Sequence, residues 1–232
     1  MNHTYDDMAK YKTVLGNIKY DNLVICPAYP FLAMMKSRNY EVCAQNVSSH
    51  LVGSFTGDVS AAMLKSVGVS SSLIGHSETK AGFGEVCDKL HQVLRQGLKA
   101  YVVITDTMND YNYQYTSSVL LSAIRGLLVH ISASDYKNVH FIYEPKYMIG
   151  KDEALPLQVV ENVFSFLKQE LVKDYGYEFP LYYGGGLTKK NIVPYYQSEI
   201  IDGLFVGRSV NHPEDLKALT ALLQKSTNVY TG

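Results

Sequence analysis

The sequence predicts an α/β fold, a parallel (β/α)8 barrel that lacks its first β-strand. Short apolar segments alternate with longer amphipathic stretches along the whole chain, as in parallel βα units. A helix precedes the first strand, and we count seven strands against eight helices. A closed barrel of this class has eight of each in about 250 residues. We therefore treat residues 1–232 as one barrel domain that begins one strand late.

The predicted strands are rich in Val, Ile, Tyr and Phe and are mostly apolar on both faces, as is typical of a parallel sheet covered by helices. They are Asn22–Cys26, Tyr40–Ala44, Ser71–Ile74, Ala100–Ile104, Val139–Tyr143, Leu181–Tyr183 and Gly203–Val206. A missing strand leaves two parallel edges open. We expect a gap in the barrel, or a gap filled by a displaced segment or a neighbouring chain.

The helices are predicted from apolar residues at helical spacing and from terminal signals. Tyr5–Leu15 precedes every strand, and Asp58 is expected to cap a helix that stops at Gly68. The run 111–115 is interpreted as a surface loop or helix start. The remaining well-marked helices are Gly84–Gly97, Leu157–Asp174 and Pro213–Leu223.

Composition excludes several classes of function. Lys and Arg number 21 against 22 Asp and Glu, so there is no basic excess for nucleic acid or an anionic membrane. No apolar run reaches the ~20 residues of a membrane span, and the polar start resembles no targeting peptide. Three cysteines without CxxC spacing indicate reduced thiols in a cytoplasmic protein. Metal and dinucleotide motifs are lacking, so we expect neither a metal nor a cofactor.

The loops that follow the strands hold the candidate site, because ligands of parallel βα folds bind at the carboxyl ends of strands. His76 and Glu78 follow the third strand, and Glu144 directly follows the fifth. Position alone also fits a histidine bonded to backbone, or a carboxylate that caps the next segment. The loop 145–156, with Gly150 near its middle, is long for a βα connection and is typical of a lid.

Glycines follow the last two strands. Gly185 and Gly186 come after the sixth, and Gly207 with Arg208 after the seventh. Bare backbone N–H groups and a guanidinium fork at this place suit a phosphate. Together with a base, a polarising histidine and a lid, they indicate proton transfer beside the carbonyl of a small phosphorylated sugar. The lid would exclude water from an enediolate-like intermediate.

Seven segments carry a resemblance to one family: residues 44–48 (AQNVS), 53–64 (GSFTGDVSAAML), 74–78 (IGHSE), 83–85 (FGE), 143–145 (YEP), 183–185 (YGG) and 202–207 (DGLFVG). By these segments, in this order, the chain resembles the triosephosphate isomerases along nearly its whole length. The resemblance implies a TIM barrel without a cofactor. It also implies a cytoplasmic enzyme of glycolysis and gluconeogenesis that interconverts dihydroxyacetone phosphate and glyceraldehyde 3-phosphate.

The resemblance also implies residue roles. Glu144 would be the base and His76 the neutral electrophile, with Glu78 beside them. The substrate phosphate would lie against Gly150, Gly185, Gly186, Gly207 and Arg208. The family is usually a homodimer whose loop 54–57 inserts beside the partner's site, with Thr56 at its tip. Gln45 and Asn46 end a strand nearby and are expected to line the pocket.

The chain also departs from the family pattern. The family's first strand ends in Asn-x-Lys-Met-Asn, whereas this chain opens with Met1-Asn2, so the catalytic lysine has no counterpart. The lid 146–154 differs in sequence, Gly186 replaces a common serine, and Arg208 replaces a common glycine. Thr105-Asp106 replaces the usual Gly-Glu. The lid and the Gly-Arg-Ser turn are more similar to the branch that isomerises erythrulose phosphates.

Three interpretations stay open at this point. The chain is a triose- or tetrose-phosphate isomerase impaired by the loss of the lysine, with Lys146 and Arg208 as weak substitutes. Alternatively, it is a phosphate-binding homologue without appreciable turnover. A third interpretation is that the given start is an internal methionine and that a strand ending in Asn-x-Lys precedes it.

Overall fold

One parallel sheet of seven strands forms the centre of the computed structural model, which describes residues 2–18, 20, 22–106 and 112–228. Each strand pairs with its neighbours in sequence, from the first to the last. The strands are β1 (Val24–Ile25), β2 (Glu41–Ala44), β3 (Ser71–Ile74), β4 (Lys99–Ile104), β5 (Val139–Tyr143), β6 (Leu181–Gly184) and β7 (Gly203–Phe205). The predicted barrel class and strand order are confirmed. Most strand ends differ slightly from the prediction.

Helices alternate with the strands, as the parallel connections require. They are α1 (Tyr5–Gly16), α2 (Leu32–Met35), α3 (Ala61–Ser66), α4 (Phe83–Arg95), α5 (Tyr113–Leu128), α6 (Leu157–Tyr175), α7 (Ile192–Tyr196) and α8 (Pro213–Asn228). Tyr111 of the predicted loop or helix start lies outside the described residues. Helix α5 begins two residues later, capped by Asn112, whose side chain accepts the backbone N–H of Tyr115 at 3.0 Å.

The predicted cap of α3 is wrong. Ser60, not Asp58, caps the helix, and its hydroxyl accepts the backbone N–H of Met63 at 3.3 Å. A cap must stand directly before the first helical residue, and Asp58 comes too early. The Asp58 carboxylate instead accepts the Ser48 hydroxyl at 2.6 Å, which closes the preceding loop. Gly68, with φ of 84°, lies in the left-handed turn just beyond the helix.

The curled sheet separates two apolar layers. The larger layer lies between the sheet and the helices, with Phe141 and Phe164 fully buried in it. The inner layer consists of alternate strand residues that point into the barrel, since successive side chains of a strand face opposite sides. Its members are Cys43, Leu73, Tyr101, Val103 and Ile142, with Val24, Cys26, Tyr182 and Phe205 packed against them.

The barrel is open between β1 and β7. Within the described residues, neither of these strands pairs on its outer side. Every residue of β1 and β7 is only partly buried, whereas all residues of β3 are buried. The predicted gap is therefore confirmed for the described part of the chain, in which no strand pairs across it.

The first helix is held against the far side of this gap. Helix α1 packs on α8. The Tyr11 hydroxyl donates to the carbonyl of Val210, and the His3 ring Nε2 lies 2.9 Å from the carbonyl oxygen of Asn211. These contacts fix the start of α1 beside the loop that follows β7.

Candidate functional site

His76 and Glu144 face each other at the carboxyl ends of β3 and β5. His76 Nε2 lies 3.3 Å from Glu144 Oε2, and the two side chains are only 16% and 12% exposed. The parallel topology places the ends of these two strands on one rim, although the residues are far apart in sequence. The structure therefore brings the predicted histidine and carboxylate into contact at the mouth of the barrel.

One backbone bond sets the tautomer of His76. The ring caps the short 3₁₀ turn Ser77–Thr79, and its Nδ1 accepts the backbone N–H of Glu78 at 3.3 Å. An accepting Nδ1 has no proton, so the neutral ring holds its proton on Nε2. Nε2 is the ring nitrogen on the Glu144 side, 3.3 Å from Oε2, and no hydrogen bond joins these two atoms.

Gly75 turns the chain sharply between β3 and His76. Its φ is 76°, and a Cβ there would lie 3.0 Å from the carbonyl oxygen of Val103. Any larger residue would therefore strain the turn and crowd β4. On the barrel side, the Phe205 ring meets the His76 ring edge-on with centroids 6.0 Å apart. The imidazole is thus held by a turn behind it and an aromatic ring below it.

Glu144 has the electrostatics of a base. Its Oε2 is buried and has no hydrogen-bond partner among the described residues. Burial raises the pKa of Glu144 above its ordinary value of 4.5, His76 opposes the shift, and the charge of Glu78 adds to it. The backbone N–H of Glu144 donates to the Ile104 carbonyl at 3.1 Å, which fixes the residue at the end of β4. A mostly buried carboxylate with a free oxygen can accept a proton from carbon.

A buried network lies directly behind Glu144, and sequence reasoning missed it. Asp106 is fully buried, and its Oδ2 accepts hydrogen bonds from the hydroxyls of Thr116 and Tyr143, both at 2.9 Å. Burial raises the pKa of Asp106, and these two bonds lower it. Because Tyr143 precedes Glu144 in the chain, the network fixes the strand end that presents the base. The signal in the sequence was an acid two residues after the end of a buried strand.

The predicted lid is fastened at its carboxyl end. The Leu155 N–H donates to the Tyr183 hydroxyl at 3.0 Å, and the Leu155 carbonyl accepts from the Tyr195 hydroxyl. The Tyr183 and Tyr195 rings stack with centroids 5.5 Å apart. A Cβ on Gly186 would lie 1.8 Å from the Glu153 carbonyl oxygen, so only glycine lets the lid approach the turn after β6.

The two glycine turns lie side by side on the same rim. Gly185 and Gly186 have φ of 108° and 67° in the turn after β6. The Ser209 hydroxyl, beyond β7, donates to the Leu187 carbonyl at 2.8 Å and ties the two turns together. Gly207 is exposed in the second turn. The Ser209 bond joins the turn that contains Gly185 and Gly186 to the turn that contains Gly207.

Arg208 contacts the lid. Its Nη2 donates to the Lys151 carbonyl at 3.1 Å and to Asp152 Oδ1 at 3.3 Å. The two side chains of the ion pair are 61% and 86% exposed, and such surface pairs contribute only about 0–1 kcal/mol. The guanidinium can therefore leave Asp152 for another anion at little cost.

The family model described as triosephosphate isomerase matches residues 1–223 of this chain. The chain belongs to the triosephosphate isomerase family. The triosephosphate isomerase of Alcanivorax borkumensis is 30% identical over 195 residues, which is 80% of this chain and 79% of the relative. That of Blochmanniella pennsylvanica is 29% identical over 202 residues, 82% and 78% of the two chains. A glycosomal triosephosphate isomerase of Trypanosoma cruzi is 29% identical, covering 85% and 83%. The resemblance read from the sequence is confirmed.

Some predicted site residues lie away from the histidine–glutamate pair. The Glu78 carboxylate is 85% exposed and its Oε2 is 3.9 Å from His76 Nδ1, so its backbone makes the closer contact. Gln45 donates to the Cys26 carbonyl at 2.9 Å, and Asn46 Oδ1 is buried without a partner among the described residues. The positions expected in the lid or the dimer loop are solvent-exposed: Thr56, Lys146 and Gly150.

The described part of the chain has no group of three His, Cys, Asp or Glu side chains arranged to hold a metal ion. In that same part, no helix combines the length and the apolar character that a membrane crossing needs.

The raised pKa of Glu144 predicts a pH-dependent gain in stability for Glu144→Gln. The folded protein holds this proton more tightly than the unfolded chain, so wild-type stability falls as pH rises from the ordinary value of 4.5 through the folded-state pKa. We expect the variant to be more stable than wild type at pH about 7 and to converge with it near pH about 4. Urea denaturation across this range measures the difference.

Glu78→Gln is the matched control, because it removes a neighbouring carboxylate that is exposed and keeps Glu144. Its stability should still fall as pH rises, slightly less than that of wild type, because the Glu78 charge adds to the pKa shift of Glu144. A Glu144→Gln variant whose difference from wild type is the same at every pH would contradict the burial of this charge.

Proposed function

We propose that this chain is a triosephosphate isomerase that interconverts dihydroxyacetone phosphate and glyceraldehyde 3-phosphate. The observation that carries the proposal is the 3.3 Å approach of His76 Nε2 to Glu144 Oε2, with Nδ1 occupied by a backbone N–H. Membership of the family supports the same reaction. Isomerisation of an aldose to a ketose needs a base for the carbon-bound proton and a proton donor for the oxygen of the adjacent carbonyl. Glu144 and His76 supply these two groups.

Glu144 and His76 divide the chemistry between them. The Glu144 carboxylate removes a proton from the carbon beside the carbonyl, and the C–H electron pair forms the enediolate double bond. The Nε2–H of His76 donates to the carbonyl oxygen, where negative charge develops. Glu144 then returns the proton to the former carbonyl carbon. The hydroxyl proton of the first carbon passes through His76 Nε2 to the former carbonyl oxygen, so that the carbonyl now stands on the first carbon. The raised pKa of Glu144 brings its basicity closer to what carbon acids demand.

The glycine turns are proposed to bind the phosphate. The backbone N–H groups of Gly186 and Gly207, in the turns after β6 and β7, would bind the phosphate oxygens, and Gly150 of the lid would close over them. Arg208 would exchange Asp152 for the phosphate oxygens, because a guanidinium fork matches them and the surface pair is weak. The substrate is thereby held with its carbonyl end toward His76.

The second candidate is a phosphate-binding homologue with little turnover. It is favoured by the open edge between β1 and β7, and the ion contacts found for the pair among the described residues, His76 with Glu78 and His76 with Glu144, involve no lysine. Lys146 is exposed on the lid turn. A preorganised charge removed from such a site typically costs about 10²–10³ in rate. The first candidate therefore predicts slow turnover.

A homodimer is proposed to form through the loop at residues 54–57 and the apolar residues just before it. Three apolar side chains are exposed there: Leu51 at 36%, Val52 at 85% and Phe55 at 43%. The Phe55 ring stacks on His50 with centroids 3.6 Å apart, which gives the exposed loop a fixed shape. Such a patch suits burial against a second copy of the chain.

Glu144→Gln is expected to lower kcat of the isomerase by about 10²–10⁴, because the amide cannot accept the carbon-bound proton. The measurement is a coupled assay with glyceraldehyde 3-phosphate, repeated with erythrulose phosphate to separate the triose from the tetrose substrate. Glu78→Gln, whose exposed carboxylate lies outside the pair, should stay within a few-fold of wild type. Wild-type protein that binds phosphate esters and turns over neither sugar would establish the second candidate.

Because Arg208 contacts Asp152 of the lid, replacing the one and replacing the other are predicted to change KM in opposite directions. Arg208→Ala removes the proposed phosphate fork and should raise KM for the sugar phosphate about tenfold. Asp152→Ala frees the guanidinium from its lid partner and should leave KM unchanged or lower it. Steady-state kinetics at fixed ionic strength tests both. An equal rise of KM in the two variants would show that the pair only shapes the lid.

A further inference from the structure

Cys26 and Cys43 stand side by side inside the barrel. The register of β1 with β2 aligns the two residues of β1 with Glu41 and Val42, so the next step along the chain sets Cys26 against Cys43. The Gln45 side chain donates to the Cys26 carbonyl at 2.9 Å. This bond keeps the segments that follow β1 and β2 close together beyond the end of β1. Both cysteines belong to the inner apolar layer.

Their geometry suits a disulfide. Neighbouring strands of a sheet lie about 4.7–4.9 Å apart, within the Cα separation of about 4.4–6.8 Å that disulfides adopt. Aligned residues of parallel strands also direct their side chains to the same face. Both thiols are free in this structure. We propose that Cys26 and Cys43 form a reversible oxidation site that closes to an intramolecular disulfide.

The two thiols have different roles because their surroundings differ. Cys26 directly follows β1, the edge strand that borders the gap, and is only partly buried, whereas Cys43 is fully buried. Burial raises the pKa of Cys43, and the adjacent Cys26 raises it further. A protonated, buried thiol is a poor first nucleophile, so Cys26 is the thiol that an oxidant reaches first.

Glutathione disulfide serves as the oxidant in two exchanges. The Cys26 sulfur attacks one glutathione sulfur, forms a mixed disulfide, and releases one glutathione thiolate, which takes up a proton. The Cys43 thiol then loses its proton, and its sulfur attacks the Cys26 sulfur. The mixed disulfide breaks and the second glutathione thiol leaves. Two protein thiols are oxidised, and one glutathione disulfide is reduced to two thiols.

The disulfide would restrain the weakest element of the sheet. β1 has two residues, both partly buried, and it pairs on one side only among the described residues. A covalent link to β2 would limit its opening. Phe205, packed in the same inner layer, has its ring 6.0 Å from the ring of His76, so the linked pair lies in the wall beneath the candidate site. The proposal does not depend on isomerase activity.

Intact-mass and peptide analysis of the folded, full chain after incubation with glutathione disulfide tests the proposal. We expect a mass lower by two hydrogen atoms, reversed by dithiothreitol, and loss of maleimide labelling at two of the 3 cysteines. Trypsin should release peptide 20–36 linked to peptide 39–65, while peptide 81–89, which contains Cys87, stays alkylatable. A link that involves Cys87, or three thiols still fully alkylatable, would overturn the proposal.

Single replacements separate the two steps. Cys43→Ser removes the second nucleophile, so glutathione should remain on Cys26 and the mass should rise by one glutathionyl group. Cys26→Ser should block both steps and leave Cys43 reduced. Cys87→Ser is the matched control and should form the disulfide at the wild-type rate. Wild-type protein that stops at the glutathione adduct, as Cys43→Ser does, would contradict the pairing of the two cysteines.

Discussion

The bond from the backbone N–H of Glu78 to His76 Nδ1 is the interaction on which the site depends. It forces the neutral imidazole to hold its proton on Nε2, which lies 3.3 Å from Glu144. Without it, the ring could present a lone pair to the substrate and have no proton to donate. Gly75 and the Asp106–Tyr143 contact also support the site. They fix the positions at which the His76 and Glu144 side chains leave their strands.

The described sheet ends in two edge strands, β1 and β7, on either side of one gap. An edge strand has unpaired backbone groups and half-buried side chains, and here both edges face the same gap. The inner layer partly compensates with large rings: the Tyr101 and Tyr182 rings meet edge-on with centroids 5.7 Å apart, and Phe205 reaches toward His76. The sheet therefore keeps its site geometry even though the described chain leaves it unclosed.

Local patterns in the sequence predicted the strands, their order and the rim that they form, because parallel βα units place all strand ends on one face. They predicted Asp58 as a helix cap wrongly, since the choice between Asp58 and Ser60 depends on a loop contact with Ser48. The contact of Arg208 with Asp152 and the bonds of Asp106 to Thr116 and Tyr143 were not predicted. Both depend on pairing between segments distant in sequence, which no local pattern encodes.

The position of the proton on the neutral His76 ring decides whether the bond from the Glu78 N–H controls the site. Nitrogen-15 spectra of histidine-labelled protein, with the His76 signal assigned by its loss in His76→Gln, distinguish a protonated from an unprotonated Nδ1 in the neutral ring. The account predicts a proton on Nε2 and a bare, hydrogen-bonded Nδ1. A neutral His76 with its proton on Nδ1 would contradict it, since Nδ1 would then not accept the Glu78 N–H and Nε2 would have no proton for the carbonyl oxygen.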